Sequence, residues 1–220
     1  MSIANNLQQI KSFLPPEVTL VAVTKTHPPE RLMEVYEAGH KIFGENKVQE
    51  MCDKYEVLPK DIQWHMVGHL QSNKVKYITP FVSLIHSVDS LKLLQEINRQ
   101  AARNNRIIDC LLQIYIANED TKFGLSFEEA ETLLQPESLM RLQNIRITGI
   151  MGMATNTDDE ARIRNEFRSL KEFFQKLRTT TPGLQILSMG MSSDYHIAVE
   201  EGSNMIRVGS SIFGSRQVAS

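Results

Sequence analysis

Hydrophobic positions along the chain switch repeatedly between helical spacing and short β-branched runs. Ile3, Leu7, Ile10 and Leu14 recur at helical spacing, which predicts an N-terminal helix ending before Pro15-Pro16. The stretch from Thr19, closed by Pro28-Pro29, reads as a first strand because Val21 and Val23 are β-branched and the prolines stop the ladder. Pro29 to Ala38 is a helix opened by proline and stopped by Gly39. Lys41 to Gly44 is a second strand, and Asn46 is placed to cap a helix running toward Val57. A third strand covers Gln63 to Val67, with a short helix near Lys74 to Tyr77. A fourth covers Ser83 to His86, with caps from Ser87 to Asp89 for a helix from Ser90 to Asn104.

The second half repeats the alternation. Ile107 to Ile116 suits a strand buried on both faces. Ser126-Phe127-Glu128-Glu129 has the capping-box pattern for a helix through Leu134. Ile145 to Met151 is a sixth strand, followed by a long helix from Asp158 to Arg178 with Ile163, Phe167, Leu170, Phe174 and Leu177 on one face. Gln185 to Met189, a short helix from Asp194 to Glu201, and Met205 to Val208 complete the series. Eight strands alternating with helices, without a linker or a composition break, predict one α/β domain over residues 1–220, a (β/α)₈ TIM barrel with an extra N-terminal helix. The competing doubly wound sheet would place a glycine-rich phosphate turn after strand one, where Lys25-Thr26-His27-Pro28-Pro29 stands instead.

In a barrel, chemistry collects at the C-terminal ends of the strands. Side chains alternate along a strand, so Val21, Val23 and Lys25 share a face, and Lys25 arrives at the mouth of the core. Such a lysine reaches water along its stem, pairs with a carboxylate, or gives up its proton and forms Schiff bases with aldehydes. Arg207 shares an inward face with Met205 and precedes Gly209-Ser210-Ser211, small residues that leave backbone N–H groups open to an anion. Ser192 lies in Met189-Gly190-Met191-Ser192-Ser193-Asp194 beside a helix start, another anion-favouring place, although it or Ser193 could simply cap that helix. Two inward cations would repel unless an anion lay between them. Together these positions suggest a phosphate-bearing ligand with an aldehyde near Lys25.

Composition narrows the partners. A net charge of −2 with dispersed Lys and Arg argues against nucleic acid or an anionic membrane surface. Cys52 and Cys110 have no metal or redox spacing, which fits a reducing compartment. With no apolar run of membrane-spanning length and no signal-peptide core, the expected location is the cytoplasm. No apolar surface stripe is left over, so a monomer is expected.

Five motifs in order resemble the pyridoxal 5′-phosphate homeostasis proteins, whose fold is similar to the N-terminal barrel of alanine racemase. They are Val21-Ala22-Val23-Thr24-Lys25; Phe43-Gly44-Glu45-Asn46 with Val48-Gln49-Glu50; Trp64 to Gln71; Ser188 to Asp194; and Ile206 to Gly214. The resemblance implies a fold-type III pyridoxal-phosphate-binding barrel without the racemases' C-terminal β-domain. It implies that Lys25 holds the cofactor as an internal aldimine and that Ser192, Gly209 and Ser210 form the phosphate cup. Arg207 would face the pyridine nitrogen, with Asn46 beside the cofactor and Met191 a wall of the site. No tyrosine sits in a motif matching the racemases' second base, so the implied role is to hold and deliver pyridoxal phosphate with little or no catalysis. Apo-enzymes or free amino acids would then be the acceptors. The alternative is a racemase of low activity; an aldolase-type lysine barrel and a scaffold with a vestigial site are more distant rivals. His65 and His69 form an HxxxH without helical spacing, so a structural role near the mouth is expected rather than zinc. Asp120-Thr121-Lys122-Phe123-Gly124 resembles a racemase loop and receives no role.

Overall fold

The computed structural model describes residues 2–117 and 123–214. Eight parallel strands, β1 Thr19–Val23, β2 Ile42–Glu45, β3 Gln63–Met66, β4 Leu84–Val88, β5 Ile108–Ile114, β6 Ile145–Gly152, β7 Ile186–Ser188 and β8 Met205–Val208, pair in chain order and close into a barrel. Closure sets Val21 of β1 opposite Arg207 of β8. The helices are α1 Ile3–Phe13, α2 Pro29–Glu37, α3 Val48–Val57, α4 Val75–Ile78, α5 Leu91–Arg103, α6 Phe127–Leu133, α7 Pro136–Leu139, α8 Glu160–Thr180, α9 Tyr195–Glu200 and α10 Ser210–Phe213.

Most local signals act as read. Ser90 Oγ accepts from Leu93 N at the start of α5, and Ser126 with Glu129 forms a reciprocal capping box. The apolar stripe of α8 is buried, with Phe173 added to it. Among the described residues, the unit after β8 contributes the one-turn helix α10. The N-terminal helix α1 lies beside it and α2, with Asn6 Nδ2 donating to Ile212 O at 2.9 Å. Ile3, Leu7 and Ile10 of α1 are buried in the outer core on that flank.

Three local expectations change. Regular pairing in β1 ends at Val23, so Lys25 stands in the turn beyond the strand. Asn46 does not cap α3: Lys47 takes that position without a side-chain cap, because β2 continues through Glu45 and carries Asn46 to the mouth. Helices α7 and α10 were not anticipated. Asp120, Thr121 and Lys122 lie outside the described residues.

The outer core, between strands and helices, includes Phe43, Trp64 and Phe167, each fully buried. Inside the barrel, Val21, Leu84, Leu111, Met151 and Met205 form a second apolar cluster. Above it the interior turns polar, and there the mouth opens. Among the described residues no helix is long and apolar enough to cross a membrane.

Candidate functional site

A cleft of about 520 Å³ opens at the C-terminal ends of the strands. It brings together Lys25, Asn46, Met191, Ser192, Arg207, Gly209 and Ser210, all the positions singled out from the sequence. Residues as far apart in the chain as Lys25 and Ser210 are gathered here because every strand ends at the same rim. Val21 packs in the barrel interior and Val23 lines the cleft, so the alternation continues to half-buried Lys25. Among the described residues, no carboxylate lies within ion-pair distance of its amine.

Arg207 enters from β8 and is buried. Its Nη1 donates to Ser188 Oγ at 2.5 Å and its Nη2 to the Gly152 carbonyl at 3.1 Å. Burial pushes the guanidinium down to about 10, opposed by the charge of Asp194. Even so, it remains a cation at neutral pH, with N–H groups to spare toward the cleft. Behind it runs a buried chain: Ser188 Oγ lies 3.0 Å from His86 Nδ1, and His86 Nε2 lies 3.0 Å from His65 Nδ1. Arginine can only donate, so Ser188 accepts from Arg207 and has its own proton for His86 Nδ1. His86 then carries its proton on Nε2 and donates to His65. We assign these tautomers because they satisfy every bond in the chain. Burial lowers His65 to about 3, and burial with the charges of His65 and Arg207 holds His86 well below its ordinary value. Both rings are therefore neutral.

This chain of bonds was missed in the sequence, although His86 follows Leu84 on an inward face of β4. His65 belongs inside the barrel with His86, while His69 is exposed and 3.7 Å from Asp89. Among the described residues no cluster of His, Cys, Asp or Glu is arranged to hold a metal.

The loops after β7 and β8 meet across Ser192. Its hydroxyl accepts from Gly209 N at 3.1 Å and from Ser211 N at 3.4 Å. α10 starts beside it, and the Ser210 N–H has no partner among the described residues. A β-carbon on Gly209 would meet the Val23 carbonyl at 3.0 Å, so a larger residue would crowd strand one. Gly190 has φ 104°, a left-handed turn suited to glycine, which swings the loop back over the barrel. Asp194, also missed as a site residue, accepts from Met191 N at 2.7 Å and fixes that loop; burial raises its pKa. Of the tyrosines, Tyr36 donates to Asp61, Tyr55 stacks on Phe81, and Tyr195 packs against Phe13, all on the helical layer.

The strands close into an eight-stranded barrel, and the family model described as the alanine racemase N-terminal domain matches residues 1–217. The pyridoxal phosphate homeostasis protein of Aquifex aeolicus is 40% identical over 200 residues, covering 90% of this chain and 87% of that protein. The protein of the same name from Escherichia coli K12 is 33% identical over 228 residues, covering 97% of each. This chain belongs to the pyridoxal phosphate homeostasis protein family. PipY of Synechococcus elongatus PCC7942, solved with PLP bound, superposes with a TM-score of 0.88 at 37% identity, covering 97% of this chain and all of that one. Alanine racemase of Clostridium difficile shares the fold alone, with a TM-score of 0.80 at 17% identity; this chain covers 56% of it.

Proposed function

We propose that the chain works as a single barrel domain that binds pyridoxal 5′-phosphate in this cleft and serves its intracellular homeostasis by holding and delivering it. The observation that carries the reading is the pairing, in one cleft, of the Lys25 amine with a buried guanidinium that has few protein acceptors. The name of the Aquifex and Escherichia relatives and the PLP bound to PipY support it.

The residues present fit the cofactor. Bound there, it would supply an aldehyde that condenses reversibly with a primary amine. Lys25 presents that amine, and Asn46 and Met191 would bound the ring. Ser192, Gly209 and Ser210 would hold the phosphate; the Ser210 N–H is open to it, and the hydroxyl of Ser192 sits between two backbone N–H groups. Arg207 has no acceptor, so toward a pyridine nitrogen it can only donate. It would keep that nitrogen unprotonated, which makes the ring a poor electron sink and disfavours transamination and elimination.

Release is the other half of the function. Lys25 is only half-buried, so free amino acids or the lysine of an apo-enzyme can reach the same aldehyde. A cytoplasmic monomer would suit that exchange. Mixing loaded protein with an apo-enzyme that uses pyridoxal phosphate tests delivery. Activation faster than by an equal concentration of free cofactor is expected; activation no faster would refute it.

A further inference from the structure

The backbone on both sides of Lys25 is held from α3. The carbonyl of Thr24 accepts from Lys54 Nζ at 2.7 Å, and the N–H of Thr26 donates to Glu50 Oε1 at 2.6 Å. Glu50 and Lys54 lie one helical turn apart and pair at 2.8 Å. Lys54 is itself fixed from below by Glu45 at 2.5 Å, and Glu45 also accepts the Thr24 hydroxyl at 2.5 Å. Glu45 and Lys54 are buried, so this is a rigid support rather than a surface ion pair.

The support bears on an unfavourable conformation. Thr26 has φ 66°, in the left-handed region that a β-branched residue enters only at a cost. Such a conformation persists where its surroundings over-determine it, and this happens mostly beside functional groups. Without an acceptor for its N–H, Thr26 would relax to negative φ and rotate the peptide that joins it to Lys25. We infer that Glu50, seated on Lys54, is a positioning residue for Lys25: by capturing the Thr26 N–H it keeps residue 26 left-handed and the Lys25 amine aimed into the cleft. The inference rests on the reading of the cleft as a pyridoxal phosphate site, and it gives a role to Glu50, which the cleft itself does not use.

The test follows condensation of the Lys25 amine with the aldehyde of added pyridoxal phosphate, water leaving, by the change in absorbance of stripped protein. Thermal unfolding of each variant is measured alongside. Glu50→Ala is expected to load about tenfold more slowly or worse. Glu50→Gln, which keeps an acceptor oxygen, should lie closer to wild type. Thr26→Gly introduced into Glu50→Ala should recover most of the loss, because glycine takes positive φ without a steric penalty. If Glu50→Ala does not fold, the same comparison is made with Glu50→Met, which fills similar space without an acceptor, with and without Thr26→Gly. Loading of the acceptor-free Glu50 variant at the wild-type rate would overturn the inference, as would a double variant no faster than the single one. A wild-type protein that takes up no cofactor would sink the reading of the cleft and this inference with it.

Discussion

Replacing Ser188 with alanine removes one hydroxyl from the middle of the barrel and leaves two buried groups short of a partner. Arg207 Nη1 loses its 2.5 Å acceptor and keeps only the bond of Nη2 to Gly152; His86 Nδ1 loses its donor. Each unsatisfied buried group costs about 1–3 kcal/mol, with the charged one toward the upper end. The expected loss of stability is therefore about 3–5 kcal/mol, read by urea unfolding at pH 7.5. Removing the second partner as well discriminates between a bonded chain and a merely tight spot. In Ser188→Ala with His86→Leu, the imidazole nitrogen is no longer orphaned, so the double variant should cost about 1–2 kcal/mol less than the sum of the single ones. Arg207, held from one side only, should also bind pyridoxal phosphate more weakly. A Ser188→Ala variant within about 0.5 kcal/mol of wild type, or strict additivity in the cycle, would refute the argument.

Acid should destabilise the fold through buried histidines. His40 and His65 are lowered by burial to about 4 and about 3, and His86 is lowered as well, so all three fold neutral. Their contribution is complete above the unfolded pKa of about 6.5 and is lost as pH falls toward the folded values; His40 and His65 each lose about 2 kcal/mol between pH 7 and pH 5. Glu45 and Asp194, raised by burial, act in the opposite sense and reduce the net loss. His65→Leu should therefore lose less stability over that interval than wild type, and equal losses would contradict the assignment. Gly209→Ala places a β-carbon 3.0 Å from the Val23 carbonyl, a backbone atom with little room to move. It should cost about 1–3 kcal/mol and weaken cofactor binding, measured by unfolding and by titration; unchanged affinity would count against a close approach at that loop.

The barrel was legible because each of its signals is local. Period, proline, glycine and caps lie within a few residues of the elements they define, as with Pro29 and Gly39 around α2 or Ser126 and Glu129 at α6. Lys25 and Arg207 were legible for the same reason, since alternation from Val21 and Met205 fixes their direction. What sequence did not reveal depends on partners far along the chain. His86 meets Ser188 across 102 residues, and neither residue type advertises a buried bond. Thr26 has no intrinsic preference for positive φ; Glu50 and Lys54 impose it. Asn46 looks like a cap by its own chemistry, but β2 runs through Glu45 and the cap position of α3 falls on Lys47. The one-turn α10 was hidden inside a run of small residues that reads equally well as an open loop.

The central claim is that one amine, at residue 25, takes the aldehyde. Protein incubated with pyridoxal phosphate, reduced with borohydride and digested should give a single modified peptide carrying the cofactor on Lys25. The Lys25→Ala protein, treated in the same way, should give none. Cofactor fixed to a different lysine in the wild-type protein, or no fixation at all, would contradict the account.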